Sequence, residues 1–518
     1  MGIPSFYRHL CRRFPKLISN GPGVRVEWLC LDFNCAMYHV LRKAPPYDEA
    51  KKAIWETDLC KSIASYMSEL TVLANPTKGV YVSCDGAVCA AKRRQQRLRR
   101  FKGPWAALME AQVTGKAAPS GWDQNALTPG SAFMAQLGDV LTAEGVRLQS
   151  RLAIPVTVST TKEAGEGEHK LLAHMRLVRP VSCTIYGLDA DLILLAMLLG
   201  ADTGASVRLL REAQEFEHSG SGWKTLDVST LASVMIPSCS PARIRDFVAT
   251  MSLLGNDFLP RSLTHTVRDD GIPNLIAALG SHVWSSGGCI VAEDSSLNRL
   301  GLSALIGAWA STEERDLVVA GITAKKAANR HPGVGASPDE TALKEWNAQP
   351  AHWASAAVIL DSRDQNRLRA DWQAVYKGWH PGSAENYLRG LAWVWDYYSG
   401  RGVDQSWFFD EHLPPRWSEM ATLLASAEPT APAVIYPTPL PDWLHLLAVL
   451  PADSVRRLLP PKAQALMAAA PEYWPTSWSV YDVGKTQLWE CEPVIPMIPE
   501  KVLRGWTKNE ATQLSANK

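Results

Sequence analysis

Asp189 and Asp191 stand two residues apart in Tyr186-Gly187-Leu188-Asp189-Ala190-Asp191-Leu192-Ile193, between a short apolar run starting at Ser182 and a second one ending at Gly200. Two carboxylates held this close repel unless a positive charge lies between them, and the usual one is a divalent cation. A helix N-cap followed by a first-turn acid would also account for the pair. Five further acids recur in similar settings. Asp32 closes the apolar run Val24–Leu31, and Asp85 follows Gly79–Cys84. Glu166 and Glu168 lie in the stretch Gly165-Glu166-Gly167-Glu168-His169-Lys170, and Asp257 in Leu253-Leu254-Gly255-Asn256-Asp257-Phe258-Leu259-Pro260. Each alone has a plain alternative: a cap for Asp32, first-turn acids for Glu166 and Glu168, a turn acid for Asp257. The glycines flanking Glu166 fit that alternative poorly, since they cost helix stability. Seven carboxylates without histidine or cysteine partners suit hard, oxygen-preferring ions such as Mg²⁺ or Mn²⁺. They would over-charge a single ion, whereas two ions clamping the attacking and leaving oxygens of a phosphodiester use them naturally.

A second constellation follows Asp85. Seven cations, Lys92, Arg93, Arg94, Arg97, Arg99, Arg100 and Lys102, occur between Ala87 and Lys102 with no intervening acid. On a helix, Lys92, Gln96, Arg99 and Arg100 share one stripe. Lysine, amide and paired guanidiniums in a stripe suit a phosphate, which arginine forks bind bidentately. A solvated charged face is the alternative. Arg93 and Arg94 exceed what such a pocket needs and are expected on a phosphodiester backbone.

The elements that would position these groups read as alternating strand and helix. Val24–Leu31, Gly79–Cys84, Val156–Ser159 and Ser182–Tyr186 are strands, and Lys52–Leu73 has helical periodicity that Pro76 stops. Acids just past successive strand ends place the site at the carboxyl edge of an open α/β sheet. At 518 residues, 46% hydrophobic and 20% charged, the chain is an ordinary globular protein with room for more than one lobe. No apolar stretch reaches the ~18 residues of a membrane span, so no membrane association is expected. Ten cysteines without a CxxC pair argue against a zinc site or a disulfide framework and for a reducing compartment. The cytoplasm is expected and the nucleus stays open, since the sequence holds no long basic tract beyond the pocket helix that would separate them. A net charge of +1 means that nucleic-acid affinity must come from local basic clusters.

Taken together, MGIPSFYRHL, LDFN, VSCDGA followed by KRRQQRLRRF, LTPGSAFM, GEGEHK, YGLDADL and LLGNDFLP resemble, in order and spacing, the first conserved region of the Xrn 5′→3′ exoribonucleases. That resemblance covers roughly residues 1–265. Tyr387 to Gly400, Ser406 to Phe409, Leu447 to Pro451 and Trp489-Glu490 resemble the family's second region. The resemblance implies a mixed, mostly parallel α/β nuclease domain of the PIN or flap-nuclease kind, with a mainly helical second region packed around it. Expected boundaries are 1–275 for the nuclease domain, 276–345 for a poorly matched helical and linker segment with a flexible His331–Pro338 linker, 346–510 for the second region and 511–518 for a tail.

The resemblance further implies that Asp32, Asp85, Glu166, Glu168, Asp189, Asp191 and Asp257 hold the metal. Lys92, Gln96, Arg99 and Arg100 would bind a 5′-monophosphate in a pocket too small for a cap or triphosphate. Single-stranded RNA would then be shortened by one 5′-mononucleotide per step. Tyr38, with His39 beside it, and Trp407 would sandwich the first base; for Trp407 a place in the core is the alternative. A tyrosine stands at position 38 where the family carries histidine. The C-terminal accessory modules of the large members are not matched. A monomer is expected, with protein partners unknown. The rivals are a structure-specific 5′ flap-type endonuclease, which shares the acids, and a catalytically silent RNA-binding scaffold.

Overall fold

The computed structural model describes residues 3, 5–117, 121–213 and 222–507. Met1, Gly2 and Pro4 of the N-terminal motif and the expected tail 511–518 lie outside the described residues.

Seven strands form one sheet in the order β1-β7-β6-β5-β2-β3-β4. They are β1 (Ile18–Asn20), β2 (Trp28–Asp32), β3 (Gly79–Ser83), β4 (Val156–Ser159), β5 (Ser182–Tyr186), β6 (Ser206–Glu212) and β7 (Trp223–Asp227). The block β6-β5-β2-β3-β4 is parallel throughout, with Leu31 opposite both Val82 and Tyr186, and Asp32 opposite Ser83. β7 and β1 add antiparallel pairs at one side. The sheet is therefore mixed and mostly parallel, as the motif pattern predicts.

Alternate residues of the central strands enter two different cores, because a strand points successive side chains to opposite faces. Leu29, Leu31, Val80 and Val82 pack with Ile63, Met67 and Leu70 of the Lys52–Ala74 helix. Cys30, Tyr81, Cys183 and Ile185 face the other way, into a core that takes in the Asp191–Thr203 helix and runs on to Leu424. This second core includes Tyr387, Leu391, Trp393 and Tyr398 of the Ala384–Ser399 helix, so the two sequence regions share one apolar interior. That helix starts with the Ser383 hydroxyl accepting the Asn386 N–H at 3.1 Å and ends at Gly400, whose φ of 80° suits glycine. A third core, around Leu444, Leu447, Val449 and Trp474, clasps Phe101 of the arginine-rich helix Ala90–Thr114.

Two features depart from the sequence pattern. β6 reads Ser-Val-Arg-Leu-Leu-Arg-Glu, whose charges disguise a buried strand. Its charges are matched inside: Arg211 lies 3.6 Å over the Tyr7 ring, and Glu212 accepts the hydroxyls of Tyr66 at 2.5 Å and Tyr186 at 2.6 Å. The expected linker His331–Pro338 is shorter and anchored. Pro338 already opens the helix Pro338–Asn347 behind an Ser337 cap, and the Gly335 N–H donates to the Thr341 hydroxyl at 2.9 Å. Among the described residues no helix is long and apolar enough to cross a membrane. All ten cysteines are free thiols.

Candidate metal centre and phosphate pocket

Parallel neighbours end at the same edge, so β2, β3 and β5 deliver Asp32, Asp85 and Asp189 to one rim. Three glycine contacts let the remaining chain close on that rim. A Cβ at Gly167 would stand 3.0 Å from Asp32 Oδ1 and 3.1 Å from the Ser83 carbonyl; only a bare Cα lets the Gly167–Val178 helix begin here. The Gly167 N–H then donates to Asp85 Oδ1 at 2.7 Å. The loops after β3 and β4 are tied by Gly86 N–H to the Gly165 carbonyl and Gly165 N–H to the Ala87 carbonyl, both 2.9 Å, with Gly165 at φ 102°. Asp257 is presented by a turn in which Asn256 Oδ1 accepts the N–H groups of Phe258 at 2.9 Å and Leu259 at 2.8 Å.

The seven predicted acids meet at this edge, and their electrostatics show it. Burial raises Asp32 well above the usual carboxylate range, helped by Asp85, Asp189 and Asp191. Burial, then Asp191 and Glu166, raises Glu168 in the same way. Asp191 is pushed up to about 7 by burial and by Asp257. Asp85 and Glu166 are also raised, mainly by burial. Asp189 alone goes down, to about 2, where cations including Lys92 and Arg99 outweigh its burial. Lys92, 7% exposed, lies 2.7 Å from Glu166 Oε2 and 2.9 Å from Asp257 Oδ2. The structure thus sets the Lys92 ammonium on the acids, although the stripe pattern assigns it to the phosphate pocket. The carboxylates are the stronger local attraction for a buried point charge.

Donor chemistry tests whether a cation fits. Asp191 Oδ1 is buried without a hydrogen-bond partner in the described structure, an arrangement that is costly for a lone carboxylate oxygen. Glu166, Glu168 and His169 each offer a ligand atom within 4.8 Å of one another. These residues fit a divalent cation. Binding would displace protons from the raised carboxyls, which sets a pH dependence. Raised carboxyls stabilise the ion-free fold only while protonated. For Asp191 that contribution is complete below about 4, the unfolded value, and is lost as pH rises through about 7. Mg²⁺ or Mn²⁺ should therefore raise the melting temperature more at about pH 8 than at about pH 6. Calorimetric titrations in buffers of different ionisation heat should detect released protons. A shift independent of pH would contradict the buried, protonated acids.

The basic helix divides its cations between structure and an open pocket. Arg93 pairs with Glu500 and donates to the Val88 carbonyl, Arg94 donates to the Asp410 carbonyl at 2.9 Å, and Lys102 to the Trp489 carbonyl at 2.9 Å. Arg97, fully buried, donates to the carbonyls of Pro496, Ala448 and Tyr473. Arg93 and Arg94 are therefore structural ties, and the expectation that they touch a phosphodiester backbone is corrected. Arg99 is the exposed cation of the set. Arg100 beside it donates to the Thr128 hydroxyl at 2.9 Å and is lowered to about 10 by burial, with Tyr38, Arg99 and Asp85 in electrostatic reach. Gln96 is buried, and its Oε1 has no hydrogen-bond partner in the described structure.

Of the rings proposed for base stacking, Tyr38 is 37% exposed and adjoins Arg100. His39 is committed elsewhere, stacked on Tyr66 at 5.0 Å with Nδ1 3.4 Å from Glu212. Trp407 belongs to the core: 9% exposed, its ring is 5.0 Å from that of Trp393, and its Nε1 donates to Asn386 at 3.2 Å. It fills the space left open by Gly390, where a Cβ would come within 2.7 Å of the indole. Its packing favours the core alternative over an open stacking platform.

The motif pattern gives no role to Tyr397 and Tyr398, yet both reach the acids from the second region. The Tyr397 hydroxyl donates to Glu166 Oε1 at 2.7 Å. The Tyr398 hydroxyl, raised by burial and then by Asp191, Glu168 and Asp257, is buried without a hydrogen-bond partner in the described structure. Two adjacent tyrosines on an apolar helix read as core, and only the fold turns them toward the site.

Residues 1–213 match the family model described as XRN 5'-3' exonuclease N-terminus. The human 5'-3' exoribonuclease 1 is 24% identical over an alignment that covers 97% of this chain and 34% of the human protein. The Schizosaccharomyces pombe 5'-3' exoribonuclease 1 is 23% identical over 96% of this chain and 48% of that protein. The Saccharomyces cerevisiae 5'-3' exoribonuclease 1 is 30% identical over 50% of this chain and 19% of its own length. The chain thus spans less than half the length of these curated relatives. Over residues 1–213 it is similar to the N-terminus of the XRN 5'-3' exonucleases.

Proposed function

We propose that this protein is a divalent-metal-dependent 5′→3′ exoribonuclease that degrades 5′-monophosphorylated single-stranded RNA to 5′-mononucleotides, working as a monomer in the cytoplasm. The observation that carries the reading is the meeting of seven carboxylates at one sheet edge, with Arg99, Arg100 and Tyr38 beside them. Asp32, Asp85, Glu166, Glu168, Asp189, Asp191 and Asp257 would hold two ions, Mg²⁺ or Mn²⁺, which supply charge stabilisation to the attacking and leaving oxygens of the phosphodiester.

The chain's own residues do the rest. Arg99 and Arg100 hold the 5′-phosphate, and the Thr128 hydroxyl orients the Arg100 guanidinium. Gln96 supplies a further polar contact, and the exposed face of Tyr38 stacks on the first base. Tyr397 fixes the Glu166 carboxylate. Lys92 balances the acids before substrate arrives and, once released from Glu166 and Asp257, is long enough to turn its ammonium to the phosphate.

One RNA prepared with a 5′-monophosphate, a 5′-hydroxyl or a 5′-triphosphate tests this in Mg²⁺. Mononucleotides from the monophosphate form alone are expected. Internal cuts, or equal decay of all three, would replace the reading with a flap-type endonuclease. Binding without any product would replace it with a silent RNA-binding scaffold.

A further inference from the structure

The metal set read from the motifs is all oxygen, and the structure adds a nitrogen to it. We infer that His169 is an inner ligand at the Glu166–Glu168 end of the site and biases that position toward Mn²⁺ over Mg²⁺. This rests on the metal-dependent reading above.

The placement depends on backbone geometry. Here Glu166 is the N-cap of the Gly167–Val178 helix, in extended conformation at φ −71° and ψ 145°, so it stands outside the helical spiral that carries Glu168 and His169. Ligand atoms of Glu166, Glu168 and His169 lie within 4.8 Å of one another. One tyrosine orients two of them: the Tyr397 ring packs on the His169 ring at 4.0 Å between centroids, while its hydroxyl holds Glu166 at 2.7 Å.

His169 Nε2 is buried and has no hydrogen-bond partner in the described structure. Buried ring nitrogens are ordinarily satisfied. An unpartnered nitrogen is not by itself sufficient, since His174 and His445 also carry one. Those two sit in other surroundings: His174 is packed between Trp28 and Tyr81, and the charged neighbours of His445 are Arg93 and Arg100. Of the three, His169 alone belongs to a carboxylate cluster. The cation that now faces this end is the Lys92 ammonium on Glu166 Oε2, a flexible point charge that an ion can displace. Both ions favour oxygen, but Mn²⁺, as a transition ion, accepts one imidazole in its shell more readily than Mg²⁺, which keeps a strict octahedron of oxygens.

Mn²⁺ electron paramagnetic resonance on the intact protein, with electron-spin-echo modulation, reads the ligand atoms directly. Bound Mn²⁺ should show a ¹⁴N coupling, and His169→Phe, which keeps a ring against Tyr397, should abolish it. The Mn²⁺ dissociation constant should rise roughly tenfold in that variant while Mg²⁺ binding changes little. His169→Asn serves as a second variant, with circular dichroism reporting folding. Bound Mn²⁺ without nitrogen coupling, or coupling that survives both variants, overturns the inference and leaves the metal-dependent reading standing. No Mn²⁺ binding to the wild-type protein overturns both.

Discussion

Asp189→Ala stops RNA cleavage and leaves RNA binding close to that of the wild type. The loss in the single-turnover rate should be on the order of 10³-fold, the size expected when a preorganised charge is removed from a water-poor site. Asp189 is the acid of the cluster whose pKa is depressed, to about 2, so it is fully ionised under all working conditions. Its neighbours Asp32, Glu168 and Asp191 are held up by burial and mutual repulsion and must lose protons before they can bind a cation. The variant therefore removes the carboxylate that most readily anchors an ion. In the proposed reading substrate is gripped by different groups, chiefly Arg99, Arg100 and Tyr38, so affinity for a 5′-phosphorylated oligonucleotide should survive. A variant cleaving at the wild-type rate would remove Asp189 from the site.

Arg97→Met should destabilise the protein by about 3 kcal/mol without touching the acids. Arg97 is 0% exposed and pulled down to about 9 by burial. It pairs with no carboxylate in the described structure; its guanidinium donates to the carbonyls of Pro496 at 3.2 Å, Ala448 at 2.7 Å and Tyr473, and lies 4.5 Å over Phe101. Methionine preserves much of the volume and leaves three buried acceptors unmet. Urea unfolding reads the change as a lower midpoint at unchanged slope. A midpoint within experimental error of the wild type would show that these carbonyls find other donors.

The legible part of this fold is local. Val156–Ser159 and Ser182–Tyr186 emerge as strands from their own apolar runs, with the bounds read from the sequence. Six of the acids are legible because they lie at or after the ends of parallel strands, which all open on one side, whereas Asp257 follows a helix and is presented by the Asn256 turn. The illegible parts depend on partners far along the chain. Nothing near Arg93 or Arg97 foretells that the residues they hold lie about four hundred positions on. Lys92 and Arg99 share a helical stripe, yet burial separates them, one on the carboxylates and one in solvent. Trp407 resembles a stacking residue in its motif and is claimed by Trp393 and the gap at Gly390. His169 stands inside a quoted motif, but its nitrogen counts only once the fold gathers it with Glu166 and Glu168.

Tyr397 and Tyr398 also bear on how this molecule can change over time. Their helix fills the nuclease core and its last turn meets the acids, so the seam between the two sequence regions is a seam of similarity only. A chimera that borrows residues 346–507 from a relative would have to import the tyrosine register together with the packing beneath it. Drift in either half is thereby constrained by the other.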